Sequence, residues 1–68
     1  MSGKATVNGE EMELLGNDTV SSLVARLGLS GDRIAVELNG SICRRCDHDG
    51  QAVVDGDVLE IVSFVGGG

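Results

Sequence analysis

Two places in the sequence hold residue types that lend themselves to chemistry: the glycines that follow Val65, and the segment Cys43-Arg44-Arg45-Cys46 with His48 close behind. Glycine has no Cβ, so Val65-Gly66-Gly67-Gly68 can lie extended in a narrow channel and bring the carboxylate of Gly68 to a buried nucleotide. The missing side chain also leaves the carbonyl carbon of Gly68 open to attack from either face. Insertion costs chain entropy, which contacts around Val62, Phe64 and Val65 would have to offset. A functional reading makes the Gly68 carboxylate the reactive group, with Gly66 and Gly67 as its tether. On composition alone, a frayed tail without function is equally open.

The Cys43-x-x-Cys46 spacing suits a redox dithiol or half of a zinc site. Even with His48 and Asp47 or Asp49, however, the donors fall short of four good ligands. A thioredoxin-type dithiol needs a strand that leads into a helix, whereas this pair follows an Asn39-Gly40 turn and precedes a polar stretch. An iron–sulfur cluster needs more cysteines than the 2 present. Cys43 and Cys46 are therefore expected to be loop thiols with no metal bound. His48, with no Ser or Cys clearly paired to it, is expected in solvent. Glu10, Glu11 and Glu13 read as a solvated edge, because catalytic carboxylates would need an enclosed cleft that 68 residues cannot wall.

The elements that must carry these groups form one domain. Its length is near the lower limit for independent folding. The hydrophobic fraction of 41% is ordinary for a globular chain, and Phe64 is the only aromatic residue, so the core is aliphatic. A net charge of −6 argues against nucleic acid and anionic membranes as partners and suits solubility or steering toward a basic protein. No apolar run has the length of a membrane span, and the N-terminus lacks a signal-peptide core, so a cytoplasmic location is expected.

Ala5–Val7 and Met12–Leu15 flank Asn8-Gly9, a strong hairpin signal. Val20, Leu23, Val24 and Leu27 fall at i, i+3, i+4 and i+7, one stripe of a helix capped by Asp18 or Thr19 and stopped by Gly28. A turn over 29–33 leads to a half-buried strand, Ile34 to Leu38, and Asn39-Gly40 returns the chain through Ser41–Cys43. After the polar stretch 44–52, Val53-Val54 is a small apolar anchor, and Asp55-Gly56-Asp57 turns into the strand Val58–Val65. This order predicts an α+β fold, a β-grasp, with a mixed four- to five-stranded sheet packed on one main helix. Leu59 and Ile61 should enter the core and leave Val62 and Phe64 on the open face, an apolar patch that asks for a partner. Residues 1–65 form the expected domain and residues 66–68 a flexible tail, mobile past Val65.

The stretch from Asp55 to Gly68, Asp-Gly-Asp-Val-Leu-Glu-Ile-Val-Ser-Phe-Val-Gly-Gly-Gly, resembles the C-terminal signature of the ThiS family of ubiquitin-like sulfur carriers. Val7-Asn-Gly-Glu10, Leu27-Gly-Leu29 and Ile34-Ala-Val-Glu-Leu-Asn-Gly-Ser-Ile42 extend the likeness over nearly the whole chain. The resemblance implies that a ThiF-type E1-like enzyme adenylates the Gly68 carboxylate with ATP and Mg, cofactors that the carrier itself does not bind. A persulfide donor then supplies sulfur, and the thiocarboxylate delivers it to thiazole synthase (ThiG) for thiamin biosynthesis. The carrier is then a co-substrate and no enzyme. Where many members carry Val-Pro-Arg-Ser, this chain has Cys43 to Cys46, with Arg45 at the matching arginine. Carriers for molybdopterin, cysteine, methionine or siderophore synthesis, and a plain β-grasp interaction module, are the other readings.

Overall fold

Two Asn-Gly dipeptides shape the sheet. Asn8 and Asn39 have φ of 51° and 53°, and Gly9 and Gly40 follow at 84° and 86°, the pair of positive angles that a type I′ turn requires. The first turn joins β1 (Lys4–Val7) to β2 (Glu10–Glu13), and the second joins β3 (Ile34–Leu38) to β4 (Ser41–Cys43). Between the hairpins runs β5 (Val58–Ser63), parallel to β1 and antiparallel to β3, in the order β2-β1-β5-β3-β4. This computed structural model describes residues 3–29 and 34–63. Most of the turn expected over 29–33, and the expected strand end and tail at 64–68, lie outside the described residues.

Among the described residues one α-helix, α1 (Val20–Arg26), crosses a face of this sheet, which makes the fold the β-grasp that the element order predicts. Thr19 rather than Asp18 is the cap. Its hydroxyl accepts the Ser22 N–H at 3.1 Å, while Ser22 Oγ accepts the Thr19 N–H at 2.9 Å, so two orphan donors are satisfied reciprocally. Leu27 ends the helix as its C-cap and stays exposed instead of joining the stripe, and Gly28 follows at φ 76°. Val20, Leu23 and Val24 pack on Val7, Val36, Leu59 and Ile61 from the strands, with Leu14 and Val53 closing the core from the connections.

Several expectations are corrected by this packing. β2 stops at Glu13, so the strand predicted through Leu15 is shorter; Leu14 is buried and Leu15 stands 71% exposed. Only Val53 anchors, since Val54 faces out. His48, expected in solvent, is 6% exposed. The polar stretch folds back over the start of α1 through a short 3-10 helix, Arg45–Asp47, and carries the ring inward. The main-chain carbonyls of His48 and Gln51 there accept the N–H groups of Ser21 and Val20 at 3.0 and 2.9 Å, donors that a helix start leaves unsatisfied.

Candidate functional site

Strand alternation sorts β5 cleanly. Leu59 and Ile61 are buried under the helix, while Val58, Glu60 and Val62 point to the uncovered face. Val62 is 53% and Val58 46% exposed. Across the ladder, Val62 faces Ala35 and Glu60 faces Glu37, which in turn pairs with Ile42 on β4, 75% exposed. Two like charges directly opposite each other oppose sheet formation by a few tenths of a kcal/mol. Neither Glu37 nor Glu60 joins the ion pairs Lys4–Glu11 and Arg26–Asp18. The face is thus apolar, acidic and unpartnered within the described residues. Val62 stands where the sequence predicts. Phe64, Val65, Gly66, Gly67 and Gly68 lie outside the described residues.

The main chain of β5 is held at both ends by the asparagines of the two turns. At its start, Asn39 Oδ1 accepts the Val58 N–H at 2.9 Å, and the Asn39 N–H donates to the Val58 carbonyl at 2.7 Å. At its far end, Asn8 Oδ1 accepts the Ile61 N–H at 2.7 Å and Asn8 Nδ2 donates to the Ile61 carbonyl at 3.0 Å. Sequence reasoning treats both asparagines as turn formers alone. The Asn-Gly signal is local and carries no information about a partner 53 residues away.

The remaining sequence candidates do not converge on a reaction centre. Cys43 is the last residue of β4, half-buried against the core, and so no loop thiol; Cys46 is exposed on the 3-10 helix. Burial, then Asp47 and Cys46, raise the Cys43 thiol above its usual range, which keeps it protonated and a poor nucleophile. The Nε2 atom of His48 lies 3.1 Å from the Cys43 carbonyl, so the ring braces the strand end. Among the described residues no three His, Cys, Asp or Glu side chains gather as a metal site. An open cleft of about 370 Å³ lies between the first hairpin and the end of α1, lined by Val7, Asn8, Glu10, Glu11, Met12 and Leu27. Of its two carboxylates Glu11 pairs with Lys4 at 3.8 Å, and no nucleophilic side chain lines it among the described residues.

Asp18 is a buried carboxylate that sequence reasoning offers, beside Thr19, as the helix cap, and the structure gives it a different task. It accepts the Leu15 N–H and the Ser22 hydroxyl, and it pairs with Arg26 at 3.1 Å. The Leu15 N–H above all, with Ser22 and Arg26, holds its carboxyl below the usual range against the opposing effect of burial. Every acceptor and donor in this knot is an internal one, so it ties the loop before α1 to the helix.

The sequence model of the ThiS family matches residues 5–68. The chain is similar to a thiamine biosynthesis protein (ThiS) from Geobacter metallireducens, at 35% identity. Its crystal structure superposes with a TM-score of 0.76 over 96% of this chain and 99% of that one. The solution structure of a Geobacter metallireducens thiamine biosynthesis protein superposes with a TM-score of 0.74. Over 65 residues the chain is also 43% identical to a thiazole synthase of Paramagnetospirillum magneticum and 31% identical to one of Magnetococcus marinus. It spans 20% of the length of each of these two curated relatives.

Proposed function

Because the chain belongs to the ThiS family, we propose that it works as a thiamin-pathway sulfur carrier whose reactive group is the Gly68 carboxylate. The observation that carries this reading is the family match, which runs through residue 68 and so includes the glycine segment. A carboxylate is a poor electrophile. A ThiF-type enzyme with ATP and Mg would let it attack the α-phosphorus of ATP, releasing pyrophosphate and leaving an acyl adenylate. A donor persulfide then attacks the acyl carbon and expels AMP. A thiol cleaves the resulting acyl persulfide, so that the thiocarboxylate stays on Gly68 and a disulfide on the donor side. The carrier contributes no acid or base to these steps: it presents the acyl group and binds each partner in turn.

Two further observations support the reading. The uncovered face around Val58, Val62 and Ile42 offers apolar area beside the strand that leads to the glycines, and Glu37 with Glu60 favours a partner that brings a cation to that face. The curated relatives are thiazole synthases that contain a region similar to this chain, which fits thiazole synthase (ThiG) as the sulfur acceptor.

Intact-mass measurement tests the proposal. The chain ending at Gly68 is incubated with a ThiF-type enzyme, ATP and a persulfide donor. The expected product is heavier by the difference between sulfur and oxygen, and deletion of Gly68 abolishes it. An unchanged mass for the parent chain refutes the carrier reading. Thiazole formation on addition of purified thiazole synthase then identifies the pathway, and failure there with a thiocarboxylate in hand points to another sulfur acceptor.

A further inference from the structure

The ladder between β1 and β5 is short, with Thr6 opposite Val58 and Val7 opposite Leu59. Its last main-chain bond runs from the Asn8 N–H to the Leu59 carbonyl at 2.9 Å. In a continuing parallel ladder the carbonyl of residue 8 would accept the next amide of β5, that of Ile61. That carbonyl is turned away, because at φ 51° Asn8 has already entered the hairpin. The side-chain carbonyl takes its place, and the side-chain NH2 group also satisfies the Ile61 carbonyl. The amide of Asn8 thus stands in for a missing stretch of β1 and lengthens the central pairing by one rung, two residues before β5 ends at Ser63.

We propose that Asn8 is a positioning residue for activation at Gly68: by clasping Ile61 it holds the end of β5, through Ser63, in one orientation toward the activating enzyme. The proposal rests on the reading of Gly68 as the activated group. Without the clasp, the β1 side of Ile61 loses its partners and the last rungs of β5 lean on β3 alone. Val62 and Ser63 are then held less firmly, and the enzyme must order them at each encounter. Asn39 holds the start of the same strand, its Oδ1 accepting the Val58 N–H and its Nδ2 donating to the Asp57 carboxylate. It is therefore a built-in control.

The test compares Asn8→Gly with Asn39→Gly, since glycine keeps the positive φ of each turn and deletes the amide, and the added backbone freedom is common to both variants. Adenylation by a ThiF-type enzyme is followed by ATP–pyrophosphate exchange with the full chain as substrate. Asn8→Gly should raise KM for the carrier about tenfold, with kcat at saturation within about twofold, while Asn39→Gly stays within about twofold on both. Equal KM effects in the two variants, or none in Asn8→Gly, overturn the proposal. If the parent chain is not adenylated at all, the activation reading fails by itself, and the clasp is judged by amide exchange and backbone order instead. In that case Asn8→Gly should speed exchange at Ile61 and loosen Val62 and Ser63, whereas Asn39→Gly acts only near Val58. Unchanged order at Val62 and Ser63 in Asn8→Gly overturns the clasp's role.

Discussion

The knot around Asp18 and the open face around Val62 both break the rule that apolar groups go inside and polar groups outside, in opposite senses. The knot buries a carboxylate under the helix start and gives it partners from its own chain: Leu15, Ser22 and Arg26. The open face leaves Val58, Val62 and Ile42 in water, with no covering element among the described residues. A violation completed internally is a structural device, whereas one left incomplete among the described residues leaves apolar area in water. The difference lies in where the compensating groups are, and that is a property mutations can test.

The largest effect is expected at the knot. Asp18→Ala removes the acceptor for the Leu15 N–H and the Ser22 hydroxyl and leaves Arg26 without its carboxylate, a cost of about 2–3 kcal/mol. For a domain of this size that lowers Tm by roughly 10–20 °C, measurable by circular dichroism, with adenylation at low temperature unchanged. The same carboxylate sets an acid limit. Its folded pKa lies below the unfolded value of 3.8, so its contribution is complete above about pH 5, declines as the pH falls through 3.8 and is gone below the folded pKa. In Asp18→Asn the part of acid destabilisation that belongs to this group should vanish, and an unaltered acid profile would show that other carboxylates govern it.

A middle effect is expected on the open face. Val62→Asp puts a third acid beside Glu37 and Glu60 and should weaken binding of the activating enzyme about tenfold in calorimetry, about 1.4 kcal/mol. Stability should fall by about 1 kcal/mol, the loss of strand propensity and the added repulsion, well short of a core truncation, because the side chain is half in water. A large loss of stability there would turn the face into part of the core and erase the contrast. The smallest effect belongs to Ile42→Ser at the far rim: a change in Tm within error and a drop in binding of about twofold or less, since rim contacts exclude water without carrying much energy.

The fold was legible wherever the signal is local. The type I′ turns follow from two Asn-Gly pairs, α1 from the spacing of Val20, Leu23 and Val24, and the two faces of β5 from alternation. What sequence reasoning missed depends on chain segments that meet only after folding. His48 sits in a polar stretch, and nothing nearby in sequence shows that the stretch will close over the start of α1. Thr19 and Asp18 are both good caps, and the choice between them falls to Arg26 and Leu15, which recruit the aspartate. Of the candidate site, Val58 and Val62 on the open face were legible by periodicity, whereas the Asn8 clasp was hidden by sequence distance; the expectations at Phe64 to Gly68 lie outside the described residues.

One feature of the sheet also limits what the molecule will recognise. A strand at the margin of a sheet is a template on which other extended chains can grow. Here one margin is β2, whose sequence Glu10-Glu11-Met12-Glu13 sets carboxylates along it, and the other is β4, only 3 residues long. At neutral pH, copies of this chain repel one another along the first margin and find too little length on the second. Among the described strands, the flat of the sheet is thereby a better surface for another protein than either margin, and growth of the sheet from copy to copy is disfavoured.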